Sequence, residues 1–175
     1  MELYHRMNSK KLTLRELALL AVLGAMTFAA KMVLAGFPHI EPVSLLVMLF
    51  AVCIGWQGLY AVAVYVALEL AMWGWGLWSF CYLYVWLILF CLARLLRNME
   101  HPLGWAILSG GFGLSFGALC APVSWISGGW AAAISWWISG IPADLIHCGG
   151  NFLISLLLFR PLRKLLTRLV TQYNR

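Results

Sequence analysis

Long apolar stretches, separated by short polar or glycine-rich breaks, run through most of the chain. The first extends from about Leu14 to Gly36. At ~1.5 Å per residue, a helix of that length crosses the ~30 Å hydrocarbon core of a bilayer. Similar stretches cover Phe80–Leu96, Leu103–Trp125 and Pro142–Leu162. Backbone polar groups in lipid must be satisfied internally, so these stretches predict membrane-spanning helices.

Two shorter apolar runs, Val43–Ile54 and Leu59–Met72, lie between the first stretch and the others. One interpretation is a single long helix. The two glycines of the Gly55–Gly58 segment favour a turn instead. The chain is therefore predicted to be an all-α integral membrane protein, with six transmembrane helices in one domain of residues 1–175.

Loops and tails complete the predicted topology. External loops are expected at Phe37–Pro42, Met72–Trp78 and Ser127–Ser139, the last with a short interfacial helix. Span 6 is expected to begin at Pro142, because proline fits the first helical position, where its missing N–H costs nothing. Cytoplasmic tails are expected at about 1–13 and 163–175.

Composition and charge support this topology. The chain is 63% hydrophobic and 10% charged, unlike a soluble protein. Of its 12 Lys and Arg residues, all but Lys31 fall near the N-terminus, at Arg94 and Arg97, or at the C-terminus. Because Lys and Arg accumulate in short cytoplasmic loops, both termini are predicted to be cytoplasmic. The net charge of +6 thus indicates topology, and no nucleic-acid partner is expected.

Few recognisable chemical motifs occur. The five cysteines are scattered singly, so we interpret them as small packing residues and predict no disulfide or zinc site. No GK[ST] phosphate loop, nucleophile elbow or HExxH motif is present. We therefore expect no enzyme activity and no cofactor in this chain. A metal site at Asp144, His147 and Glu69 is a weaker alternative, because a further ligand is missing.

Polar residues concentrate near the outer ends of three spans. Asp144, His147 and Asn151 share one face of span 6, at positions i, i+3 and i+7. Glu69 of span 3 and Lys31 of span 1 are predicted at a similar depth. Polar groups in a membrane are expensive and by default mark a functional site, here an outward-facing pocket for a small molecule. The alternative is a structural ion pair of Lys31 with Glu69 or Asp144, in which His147 and Asn151 only hydrogen-bond between helices.

Aromatic rings at the outer ends of the spans complete the predicted substrate-binding set. They are Trp73, Trp75, Trp78, Tyr82, Trp86, Trp136 and Trp137. The alternation of Trp and Gly in Met72–Trp78 has two interpretations. It is either an interfacial aromatic belt or a glycine-hinged lid that stacks on an aromatic ligand.

A stripe of small residues runs along span 1. Ala18, Ala21, Ala25 and Ala29 fall within about 80° of one another on the helical wheel. Such a stripe lets another helix approach closely. That helix belongs either to this chain or to another protein, and the sequence is compatible with both interpretations.

The six spans in 175 residues, the alanine stripe and the run from Gly140 through His147 to Asn151 and Phe152 resemble a known family. They are similar to the substrate-binding S components of energy-coupling factor (ECF) vitamin transporters, over nearly the whole chain. The resemblance implies a prokaryotic plasma-membrane protein that works with a transmembrane coupling protein (T component) and two ATPases, which use the ATP. It also implies that Ala21, Ala25 and Ala29 dock on the coupling protein.

Within that family, Tyr82–Trp86 and span 6 are most similar to a group linked to cobalamin precursors. The resemblance implies dimethylbenzimidazole or its riboside, α-ribazole, as the substrate, although thiamin or a pyrimidine would also suit the tryptophans. Two alternatives of other classes remain. One is a small intramembrane enzyme that uses Asp144 and His147 in acid–base work, and the other is a structural membrane subunit.

Overall fold

The structure, a computed structural model, describes residues 12–173. Helices and short turns make up this part of the chain, without a strand, so the all-α prediction is confirmed. The helices are α1 (Leu14–Val33), α2 (Val43–Cys53), α3 (Gly58–Trp73), α4 (Leu77–Leu95), α5 (Pro102–Leu114) and α6 (Phe116–Tyr173). Among the described residues, three stretches are long and apolar enough to cross a membrane: Leu14–Val33, Leu77–Leu95 and Pro102–Gln172, the last of which covers α5 and nearly all of α6. Most of the predicted N-terminal tail lies outside the described residues.

A capping box fixes the start of α1. The Glu16 amide donates to the Thr13 hydroxyl (3.2 Å), and the Thr13 amide donates to the Glu16 carboxylate (2.7 Å). This reciprocal pair satisfies backbone donors that a helix start leaves open. The inward face of α1 carries Leu20, Gly24 and Thr27, and at Gly24 the helix lies directly against Ala61 of α3.

The predicted turn between the two short apolar runs is confirmed. Gly55 has φ +89°, a conformation that glycine adopts without steric cost. Helix α2 ends just before it, at Cys53, and eight of the 11 residues of α2 are buried. At ~1.5 Å per residue α2 is only about 16 Å long. It forms the centre of the core. Because it is short, space for a cavity remains beyond its N-terminus.

The predicted loop at Ser127–Ser139 and the predicted helix start at Pro142 are wrong. Helix α6 is interrupted only at Gly129 (φ +75°), which divides it into a first arm (116–128) and a second arm (130–173). Proline is tolerated in the second arm because that arm is held by packing along its length, for example by the stacked rings of Trp105 and Phe159, 4.4 Å apart. Tertiary contacts thus override the local preference of proline for a helix start.

The bundle has two distinct ends. At the basic end, the Arg163 guanidinium donates to the Met99 carbonyl (3.4 Å), and Arg94 donates to the Ala51 carbonyl (3.1 Å). At the opposite end, which we call the cavity end, Lys31 of α1 meets Glu69 of α3. This separation places Lys31 and Glu69 at the end of the bundle opposite Arg94 and Arg163.

Close packing of α5 on α6 depends on Gly113. A Cβ atom there would lie 2.8 Å from the carbonyl carbon of His147 and 2.9 Å from the Asn151 amide nitrogen. We expect Gly113→Ala to lower the free energy of unfolding by about 1–3 kcal/mol, as overpacking does. Gly111→Ala is the matched control, because nothing lies within 4 Å of its Cβ position. Thermal unfolding in detergent should show a loss for the first variant only, and equal melting temperatures would contradict this packing.

Candidate functional site

A cavity of about 610 Å³ lies at the cavity end of the bundle. It is bounded by the loop that joins α1 to α2 and by the ends of α1, α3, α4 and both arms of α6. Its volume is within the ~300–1,000 Å³ typical of small-molecule pockets. The predicted binding residues that line it are Lys31, Glu69, Trp73, Trp78, Tyr82, Trp136, Asp144 and His147.

Lys31 is the centre of the polar wall. Its ammonium lies 2.9 Å from the Glu69 carboxylate and 3.5 Å from the Glu41 carboxylate. It also donates to the Tyr82 hydroxyl (3.2 Å) and sits 5.2 Å from the centre of that ring. Of the two ion pairs considered from the sequence, Lys31 therefore makes the one with Glu69, and Asp144 has another partner.

Glu41 is the main polar residue that the sequence analysis missed. It lies in the loop before α2, and its Oε1 is 3.2 Å from His147 Nε2. Burial alone would raise the pKa of the Glu41 carboxyl, but the hydrogen bond with His147 and the charge of Lys31 outweigh it and lower that pKa. Glu41 thus stays charged and joins the loop to α1 and α6. In the sequence, Glu41 is marked only by its position between Pro38 and Pro42. That position does not show that it contacts Lys31 and His147.

The same loop carries backbone strain. His39 has φ +63°, a left-handed conformation that is uncommon for a residue with a side chain. Its ring packs edge-on against His147, with 5.3 Å between centroids. Strained residues of this kind cluster at ligand clamps and active sites, and His39 lines the cavity.

Asp144 closes the cavity on the side of α6. Both of its carboxylate oxygens accept the Gly117 N–H, at 3.0 Å. Gly117 lies in the first turn of the first arm, where backbone N–H groups lack helical partners and favour a negative charge. Asp144 therefore bonds to the backbone and His147 to Glu41, and not to each other.

Aromatic rings form the remaining walls. Trp73 is the last residue of α3, and Trp78 lies in the first turn of α4. The loop between the two helices is therefore shorter than the predicted loop Met72–Trp78. The Ser79 hydroxyl fixes that short turn, since it donates to the Gly74 carbonyl (2.9 Å) and accepts from the Gly76 amide (3.0 Å). Tyr82 is 7% exposed and packs edge-on against Trp78.

Four residues of the predicted binding set do not line the cavity: Trp75, Trp86, Trp137 and Asn151. Trp75 and Trp137 are largely exposed, at 69% and 48%. Trp86 is buried behind Tyr82, at 5.4 Å between ring centroids. The Asn151 amide donates to the Ser44 hydroxyl (3.0 Å) and joins α6 to α2. Helical periodicity gives a residue's face, but it does not say which rings a neighbouring helix covers.

A disulfide lies beside the cavity. Cys81 of α4 and Cys120 of α6 are joined, with 5.2 Å between their Cα atoms. Both are buried, and Cys120 lines the cavity. The interpretation of all five cysteines as separate packing residues is therefore wrong for this pair. Spacing along the chain did not indicate it, because the two residues meet only when α4 packs on α6.

Thiol counting tests this bond. Denatured but unreduced protein should take up three alkyl groups, at Cys53, Cys91 and Cys148, and the reduced protein should take up five, one per cysteine. Intact-mass spectrometry after alkylation measures both. Five groups without reduction, from protein purified under non-reducing conditions, would contradict the pairing.

The alanine stripe of α1 faces away from the rest of the chain. Ala18, Ala21, Ala25 and Ala29 are all exposed. Packing inside this protein uses the opposite face of α1, at Gly24 and its neighbours. Of the two interpretations of the stripe, contact with another helix of this chain therefore finds no support among residues 12–173.

Within residues 12–173, no group of three His, Cys, Asp or Glu side chains is arranged to hold a metal ion.

No family model matches the sequence, and neither a curated protein nor a solved structure matches it. What the geometry defines is a helical protein with apolar helices able to cross a membrane and a ring-lined cavity at one end of its bundle.

Proposed function

We propose that this chain is the substrate-binding S component of an ECF-type transporter. It would capture a vitamin or vitamin precursor from outside the cell for ATP-driven uptake by partner subunits. One observation carries the proposal: a cavity of about 610 Å³, walled by indole and phenol rings and by a buried ionic network, lies at one end of an apolar helical bundle. This combination suits a small aromatic molecule.

The proposed topology has six spans with both termini in the cytoplasm of a prokaryotic cell. The segments would be α1, α2, α3, α4, α5 with the first arm of α6, and the second arm. The positive-inside rule supports this arrangement, because Arg94 and Arg163 lie at the end opposite the cavity. The cavity would then face outside, where its ligand is captured.

The exposed alanine stripe supports docking on a coupling protein. A helix face of four alanines allows the backbone of a second helix to approach closely, and none of the described helices covers it. In the proposal Ala21, Ala25 and Ala29 contact the T component, and two ATPases supply the energy.

The proposed substrate is aromatic, with dimethylbenzimidazole or α-ribazole as the leading candidates. The rings that line the cavity support a flat ligand, and those of Trp78 and Tyr82 are packed edge-to-face. Such a ligand would gain apolar burial and ring contacts in this cavity. The proposal contains no catalytic step, so conversion of a bound compound by the purified protein would favour the enzyme alternative.

A variant that fills the cavity tests the proposal. Ala143 lines the cavity, so Ala143→Trp should block it. Ile146→Trp is the matched control, because Ile146 lies on the same helix with 47% of its surface exposed. A ligand at about 100 times its Kd raises the unfolding free energy by about 2.7 kcal/mol. We expect that rise, with at least one aromatic vitamin-like compound, for wild type and the control but not for Ala143→Trp.

Two outcomes would contradict the proposal. A ligand-induced rise that persists in Ala143→Trp would place binding elsewhere. The absence of any rise in wild type, across vitamins and their precursors, would favour a structural subunit.

A further inference from the structure

The charged groups that face the cavity are predominantly negative. They are Lys31, Glu41, Glu69 and Asp144, together with the imidazoles of His39 and His147. Lys31 is the single Lys or Arg among the described lining residues, which include three carboxylates. With both imidazoles neutral, two negative charges are in excess. If both imidazoles carried a proton, the net charge of these six groups would be zero.

The deepest of these carboxylates is incompletely satisfied. Glu69 is fully buried, and its Oε2 accepts from Lys31 at 2.9 Å. Its Oε1 is buried without a hydrogen-bond partner among the described residues. A buried acceptor without a donor is costly, and Glu69 lines the cavity. A donor or a positive charge on a bound molecule would complete this site.

The rings around these carboxylates are suited to a cation. Trp73, Trp78 and Trp136 line the cavity together with Tyr82. Aromatic faces attract positive charge, and tryptophan does so most strongly. The Lys31 ammonium already lies 5.2 Å from the centre of the Tyr82 ring, so one such contact is present within the site.

We infer that the bound molecule is a cationic heteroaromatic ring, with its quaternary or protonated nitrogen directed at Glu69 and Glu41 and its face against the tryptophans. This inference rests on the proposed function and narrows its substrate class. A benzimidazolium or a thiazolium has the required chemistry. A ligand bearing a carboxylate or phosphate does not, because its charge would face the three carboxylates.

A matched pair of ligands measures how much the ligand's positive charge contributes to its affinity. N-methylbenzimidazole and N,N′-dimethylbenzimidazolium share a ring and nearly a size, but only the second carries a fixed positive charge. Their affinities for the purified protein are measured by calorimetry, with thiamin as a second cation and biotin as an anion. The cation should bind about tenfold more tightly than the neutral ring, in the range expected for a cation over aromatic faces. Thiamin should bind in preference to biotin.

Two variants test whether Glu69 and Glu41 cause the preference for a cationic ligand. Glu69→Gln and Glu41→Gln each remove one negative charge while keeping the shape of the side chain, and each should reduce the cation's advantage to about threefold or less. Because Glu41 lies in a loop, its variant also serves if Glu69→Gln fails to fold. Glu100→Gln, an exposed position near the basic end, should keep the full tenfold ratio.

The outcomes separate this inference from the proposed function. If the neutral ring binds as tightly as the cation, or if biotin binds in preference to thiamin, the inference is wrong while the binding function stands. A tenfold preference that is unchanged in both glutamine variants would also overturn it. If no vitamin-like compound binds, the proposed function is wrong, and this inference with it.

Discussion

Replacing Lys31 with methionine should lower the free energy of unfolding by about 3–5 kcal/mol, the loss typical when one partner of a buried ion pair is removed. Methionine keeps much of the apolar stem but removes the ammonium, which lies 2.9 Å from Glu69 and 3.5 Å from Glu41. The side chains of these two carboxylates are only 0% and 12% exposed. They would be left buried without their cation. Thermal unfolding in detergent measures the loss.

A second variant identifies the cause. Lys31→Met combined with Glu69→Gln should recover more than half of the lost stability, because it also removes the more deeply buried of the two carboxylate charges left without a cation. Lys164→Met, at an exposed position of α6, is the control and should have no measurable effect. If the single variant unfolds at the wild-type temperature, the ionic network does not hold the cavity wall together.

If the proposed function is right, replacing Ala25 with tryptophan should abolish co-purification with the proposed coupling protein and ATPases while leaving ligand binding intact. Ala25 is exposed at the middle of the alanine stripe, and an indole there would prevent close approach of a second helix. The cavity lies at the C-terminal end of α1, where Lys31 and Met32 line it, and Ala25 does not line it, so ligand binding should be unaffected. Co-expression of the chain with the coupling protein and two ATPases, followed by affinity purification, measures the complex.

Leu83→Trp is the matched control for this experiment. Leu83 is 53% exposed on α4, so the same bulk is added to an apolar surface outside the stripe. That variant should co-purify with its partners as wild type does. Retention of the complex by Ala25→Trp would refute the assignment of the stripe to docking.

Much of the helical layout could be predicted from local pattern. The apolar run after Thr13 and the glycines around Trp56 each encode a boundary within a few residues, which is why α1 and the turn between α2 and α3 match expectation. The α6 helix did not follow local rules. Pro142 favours a helix start when considered alone, but it lies inside the continuous second arm, and Asp144, two residues further on, is held by the Gly117 amide of the first arm.

The site could be predicted only in part, because its remaining members are defined by contacts between distant segments. Lys31 and Glu69 stood out as charges in apolar helices, which are rare enough to signal a site. Glu41 lies in a loop, where a carboxylate is ordinary, and its importance comes from contact with His147, far along the chain. Cys81 and Cys120 likewise meet only in the folded bundle.

The central claim is that an aromatic, vitamin-like molecule occupies the cavity. Mass spectrometry of small molecules released from purified protein tests it most directly, with wild type, Ala143→Trp and Ile146→Trp expressed in the same rich medium. We expect one aromatic compound of vitamin size, bound to wild type and to Ile146→Trp but absent from Ala143→Trp. The same compounds released from all three proteins, or none from any of them, would contradict it.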